Sequence, residues 1–119
     1  MKADPRRIPD YLLHILEAIS RIRNYTAGLD RAGFDASSLI QDAVIRNLEI
    51  MGEAARNIEL HDPSFAAKYS DFPLKDVYLM RNRLTHGYFA IDLAIVWNTV
   101  QNDLPELEMQ AGKLHALLK

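Results

Sequence analysis

The sequence predicts an all-α fold, an antiparallel bundle of four main helices with one short extra helix, and three observations point to it. Apolar residues recur at spacings of three and four almost throughout, the period of a helix that buries one face. No stretch alternates apolar and polar residues as a half-buried strand does. Helix-punctuating residues are few, with five Gly and five Pro among 119 residues, and most of them fall at the ends of the periodic stretches. No repeat, low-complexity tract or composition break divides the chain, so residues 1–119 read as a single domain with one modest core.

The first helix is expected to begin near Pro9, a residue tolerated in an opening turn, and to end near Gly28. Its buried stripe is Leu12, Ile15, Leu16, Ile19 and Ile22. Asp35 is the expected cap of the second, whose stripe is Ile40, Val44, Leu48, Met51, Ala55 and Ile58. Gly52 and the alanines near it leave a thin side on which another helix can pack closely. Asp62-Pro63 signals the cap and first residue of a short helical turn. Pro73 opens a third main helix with Leu74, Val77, Met80 and Leu84 inward, and Gly87 is its expected end. Asp92 caps the last, with Leu93, Val96, Trp97, Val100, Leu104 and Leu107, and Pro105 inside that pattern must kink or break it.

Composition excludes several classes of function. Cysteine is absent, which removes disulfides, thiol catalysis and thiolate metal sites and fits a cytoplasmic protein. No apolar run is long enough to cross a bilayer, and no signal-peptide pattern opens the sequence. The net charge of −2 is not that of a protein that coats nucleic acid, so any RNA site must gather its positive charge locally. No glycine-rich phosphate loop is present, so the chain is not expected to transfer nucleotides itself.

The segment Arg81-Asn82-Arg83-Leu84-Thr85-His86-Gly87-Tyr88 concentrates cations, an amide, a hydroxyl and a phenol at a helix end. Each member suits phosphodiester chemistry. Arginine presents a fixed fork of donors that matches two phosphate oxygens and stays charged. Histidine titrates near neutrality, so it can take a proton from a ribose 2′-hydroxyl or return one to a leaving oxygen. Asn82 and His86, four residues apart, share a helix face. Arg81 and His86 are five apart, about 140° around an ideal helix. Either the helix ends before His86, or two chains supply complementary copies across a two-fold axis; both together are expected. A competing reading gives Arg81 and His86 only a structural task, complementing the dipole and capping carbonyls at a helix C-terminus.

Other candidates are poorer. His14, His61 and His115 lack the paired spacing of a zinc helix and fit surface or packing roles. Glu49 and Glu53 are four apart but have no histidine partner, so a solvated or interhelix role outweighs metal ligation. Ser37-Ser38 read as first-turn residues. No metal site is expected.

The motif Arg81, four residues, His86, one residue, Tyr88 resembles the signature of the HepT-like branch of the HEPN superfamily, and Asn82 matches the polar residue that follows the arginine. The likeness extends to His14–Ile19, to Ala43–Ala55 with its Asn47-Leu48-Glu49-Ile50-Met51-Gly52-Glu53-Ala54-Ala55 run, and to Tyr88-Phe89-Ala90-Ile91-Asp92, Val96-Trp97 and Asp103-Leu104-Pro105. One departure is the segment Asp71–Asp76, which lacks the tryptophan expected there. The resemblance implies a HEPN-like homodimer, a metal-independent toxin ribonuclease that needs no cofactor of its own. It also implies a minimal nucleotidyltransferase antitoxin that uses ATP and Mg²⁺ to place AMP on Tyr88. On that reading Arg81 and His86 are catalytic and Asn82 orients His86 or the RNA. Arg83 supports the charge of the cleft, and Tyr88 is the AMP acceptor. The dimer face is expected on the second main helix and the motif region. The alternatives are a non-catalytic nucleotide-binding or adaptor subunit of the same partner and, last, a helical scaffold without activity.

Overall fold

The computed structural model describes residues 3–86 and 91–119, with the side chains of Arg81, Arg83, Thr85 and His86 left aside. The helices are α1 (Ile8–Thr26), α2 (Arg31–Asp35), α3 (Ser38–His61), α4 (Phe65–Lys68), α5 (Leu74–His86), α6 (Leu93–Asn98) and α7 (Leu104–Leu118). A 3₁₀ turn over Pro5–Arg7 precedes α1, and a π-turn over Thr99–Asp103 joins α6 to α7. No strand occurs among the described residues. The expected bundle of four main helices is therefore formed by α1, α3, α5 and the composite α6–α7.

The expected stripes meet in one core. Leu12, Ile15, Ile19 and Ile22 of α1 face Val44, Leu48, Met51, Ala55 and Ile58 of α3, with Val96, Val100, Leu104 and Leu107 from the last helices, all buried. Leu16, Ile40, Val77, Met80, Leu93 and Trp97 are only partly buried against it. The helices run antiparallel. His61 at the end of α3 lies beside the start of α1, where its Nδ1 accepts the Asp4 backbone N–H at 2.9 Å. That bond leaves the neutral ring its proton on Nε2, 3.3 Å from the Tyr11 hydroxyl. At the other end of α1, Arg23 pairs with Glu108 of α7.

Helix boundaries follow local chemistry. Pro9 lies in the first turn of α1, and Gly28, at φ 76°, takes the left-handed turn beyond its end. Asp35 does not cap the second main helix. It closes α2, which the sequence reading missed, and pairs with Arg31 at 2.8 Å. The α3 cap is Ser37, whose Oγ accepts the Ile40 N–H at 3.2 Å. A helix of five residues is too short to show a period, and its one signature is Phe34, fully buried with its ring 5.2 Å from that of Trp97.

The break at Pro105 is a π-turn: the Leu104 N–H reaches back five residues to Thr99 O. This wider turn lets the chain enter α7 although Pro105 has no N–H to donate. Where the family resemblance expects tryptophan, Phe72 fills the core edge-on to Phe65 at 6.1 Å.

Asp62 organises the link from α3 to α4, accepting from the Ser64 N–H and hydroxyl and from Lys68 Nζ at 3.2 Å. Burial pushes its carboxyl up, but Ser64 and Lys68 outweigh that and hold it below the ordinary range. A depressed acid stabilises the fold above its unfolded pKa, and that contribution is lost as pH falls through the folded value. Asp62→Asn is therefore expected to cost on the order of 1 kcal/mol at neutral pH. In thermal melts at stepped pH, the gap between variant and wild type should close as the solution is made acidic. A gap that is independent of pH would refute the assignment.

Candidate active-site helix

The motif is carried by α5, whose neighbours set what it can do. Among the described residues, α5 packs essentially on α3 alone, and neither α1 nor α7 makes a substantial contact with it. Leu74 and Leu84 anchor its two ends in the core. Between them Val77, Tyr78, Leu79 and Met80 are all half-buried, so every side of the helix keeps some exposure.

Gly52 lies in the α3–α5 contact. Tyr78 and Asn82, one turn apart on α5, face Gly52 and Arg56 of α3 across a small gap of about 70 Å³. The Arg56 guanidinium lies 5.8 Å from the centre of the Tyr78 ring, a cation–π contact. The expected thin side of the second main helix is thus the seat of α5, and half-buried Asn82 belongs to this flank.

The backbone of α5 stays helical through His86. Of the alternatives for bringing Arg81 and His86 together, a helix that ends before His86 is therefore ruled out. A continuous turn keeps positions 81 and 86 about 140° apart around the axis. The side chains of Arg81, Arg83 and His86 lie outside the described residues, as do Tyr88 and the expected helix end at Gly87.

The remaining candidates take structural places. His14 is exposed and edge-on to Tyr11 at 5.8 Å, His61 is buried in the clasp described above, and His115 is partly exposed on α7. Glu49 pairs with Arg46 at 3.8 Å, and Glu53 is exposed with an interaction of its own. Among the described residues, no cluster of three His, Asp or Glu could hold a metal ion. No described helix is long and apolar enough to cross a membrane.

Two features escaped the sequence reading. Asn47 is only 4% exposed; its Nδ2 donates to Ala43 O, and its Oδ1 has no partner among the described residues. It stands five residues from Gly52, about 140° around α3, and so lies away from the α5 seat. The second is a groove of about 410 Å³ between α5 and α7, floored by Leu48 and Met51 of α3 and walled by Val77, Met80, Leu104 and Leu107. Asp71, Asp76, Asp103 and Glu106 also line it, a charge that repels phosphodiesters. Individually these acids read as solvated helix surface, and only the convergence of three helices gathers them.

The seat of α5 can be tested by overpacking. Gly52→Val is expected to destabilise the protein by about 1–3 kcal/mol and to displace α5, read as a lower melting temperature and shifted Tyr78 and Asn82 amide resonances. Unchanged resonances would show that Gly52 is not what admits the helix.

Comparison with known proteins agrees with this architecture. The model of the Ribonuclease HepT-like family matches residues 15–114. A Methanocaldococcus jannaschii protein, named gamma-glutamylcyclotransferase and provisionally RNase, is 40% identical over 87% of this chain, which spans only 46% of that longer protein. A probable ribonuclease HepT of Thermococcus cleftensis is 38% identical over 88% of this chain and 93% of its own length. A provisionally named RNase of Caldanaerobacter subterraneus is 34% identical over 87% of this chain and 90% of its own. No solved structure matches. With the family model covering most of the bundle, α5 and its motif included, the chain belongs to the Ribonuclease HepT-like family.

Proposed function

We propose that the protein is a metal-independent endoribonuclease toxin that works in the cytoplasm as a homodimer and is silenced when a partner nucleotidyltransferase places AMP on Tyr88. The observation that carries this reading is the uninterrupted helix through His86, seated on one neighbour only. One such helix separates positions 81 and 86, whereas two copies related by a two-fold axis can bring Arg81 of one chain toward His86 of the other. The half-exposed flanks of α5 leave room for that partner. The naming of relatives as ribonucleases supports the same chemistry.

In the proposed reaction His86 takes the proton of a ribose 2′-hydroxyl, and the 2′-oxygen attacks the adjacent phosphorus. The P–O5′ bond breaks, the leaving 5′-oxygen gains a proton, and a 2′,3′-cyclic phosphate remains. Arg81 stabilises the charge that develops on the phosphoryl oxygens, Arg83 adds to the local potential, and Asn82 orients His86 or the substrate. No step needs a metal or cofactor; ATP and Mg²⁺ serve the partner enzyme alone. AMP on the Tyr88 hydroxyl would put a phosphate where Arg81 should meet RNA and would block the cleft.

The purified chain is expected to cleave RNA in EDTA, and His86→Ala to lose about 10²–10⁴-fold in rate with an unchanged thermal melt. Mixing Arg81→Ala with His86→Ala subunits should restore part of the activity if each site draws on both chains. Equal activity in wild type and His86→Ala would remove His86 from the mechanism, and an inert wild type would leave the non-catalytic adaptor. Incubation with the nucleotidyltransferase, ATP and Mg²⁺ should add the mass of AMP to the wild type and not to Tyr88→Phe. Equal modification of both would move the acceptor elsewhere.

A further inference from the structure

The groove between α5 and α7 has no part in the proposed cleavage, yet its two walls are built alike. On α5, Asp76 precedes Val77 and Met80, which are three residues apart; at the start of α7, Asp103 of the π-turn and Glu106 immediately precede Leu104 and Leu107. Each wall is therefore an apolar pair fronted by carboxylates, over an apolar floor. Among the described residues no Lys, Arg or His lines the groove, and none of its four carboxylates is in an ion pair.

From this we infer that the groove docks a cationic amphipathic helix of a partner protein, with an apolar stripe in the floor and Lys or Arg on both flanks. Four physical arguments favour that occupant. Four carboxylates without an ion pair among the described residues, set around an apolar trough, attract cations and repel RNA and anionic membrane alike. An isologous contact with a second copy through this face would set the same carboxylates against their twins. An extended peptide would lay unpaired backbone N–H and C=O groups on an apolar floor, whereas a helix satisfies its own. Finally, apolar residues repeated at a three-residue spacing along two helical walls are what helix-in-groove recognition uses. The inference stands whether or not the motif cleaves RNA.

The test uses the full chain and a fluorescent helical peptide of about 18 residues, five turns, built from Leu at the stripe positions and Lys elsewhere. Its twin carries Glu in place of Lys. The Lys peptide is expected to bind with a dissociation constant on the order of micromolar and to weaken as salt rises. In amide spectra the perturbations should centre on Val77, Met80, Leu107 and Gln110. The double variant Asp76→Lys/Glu106→Lys, changed only at exposed rim positions, should bind about tenfold more weakly while remaining helical and cooperatively folded at the assay temperature, its melt lowered only by the loss of two first-turn acids. The Glu peptide should not bind. Equal affinity for wild type and variant, equal binding of the two peptides, or perturbations centred elsewhere would overturn the proposal. A change of sedimentation mass in the variant, with peptide binding intact, would also overturn it by making the groove a contact between copies.

Discussion

The structure depends on one close approach, the seating of α5 on α3 at Gly52. There Tyr78 and Asn82 come down beside Gly52 and Arg56, and Leu74 and Leu84 reach the core at the two ends of α5. Fully burying a leucine is worth about 1.5–3 kcal/mol, so two such anchors suffice to hold a short helix against one neighbour. They do not suffice to cover it. The motif-bearing helix is consequently seated on one neighbour, whereas α1 and α3 are packed along most of their length.

That exposure has a chemical counterpart. Along α5 the net charge rises: Lys75 and Asp76 offset each other in the first half, and Arg81 and Arg83 follow in the second. The order suits the helix dipole, which favours anions at the N-terminus and cations at the C-terminus. It also divides the surface. Asp76 borders the α7 groove with Asp71, Asp103 and Glu106, whereas Arg81 and Arg83 lead into the motif. A net charge of −2 is compatible with RNA chemistry only through such a division, because phosphate attraction is local and is screened beyond about 8–10 Å.

The π-turn over Thr99–Asp103 matters for the same partition. A straight continuation from α6 into α7 would call for a donor that Pro105 lacks. The widened turn redirects the chain so that Leu104 and Leu107 face the core while Asp103 and Glu106 stay at the rim. A backbone accommodation of one proline thus shapes the far wall of the groove.

Much of the fold was legible in the sequence, since helical period and local chemistry are properties of consecutive residues. The stripes of α1 and α3, the caps and breaks at Pro9, Pro73, Asp92 and Pro105, and the family likeness all belong to that class. Asp35 shows its limit: several residues in that stretch can cap a helix, and only the formation of α2 around Phe34 left the task to Ser37. Gly52 could be read as a thin place, but not as the seat of α5, because a contact between positions 52 and 82 depends on where two helices cross. The acidic groove was invisible for the same reason. Its residues come from separate segments, each an unremarkable polar or apolar position until three helices converge. Residue types and local spacing therefore suggested a chemistry and placed its motif on a helix, while tertiary packing decided what that helix is seated on and what charge lies beside it.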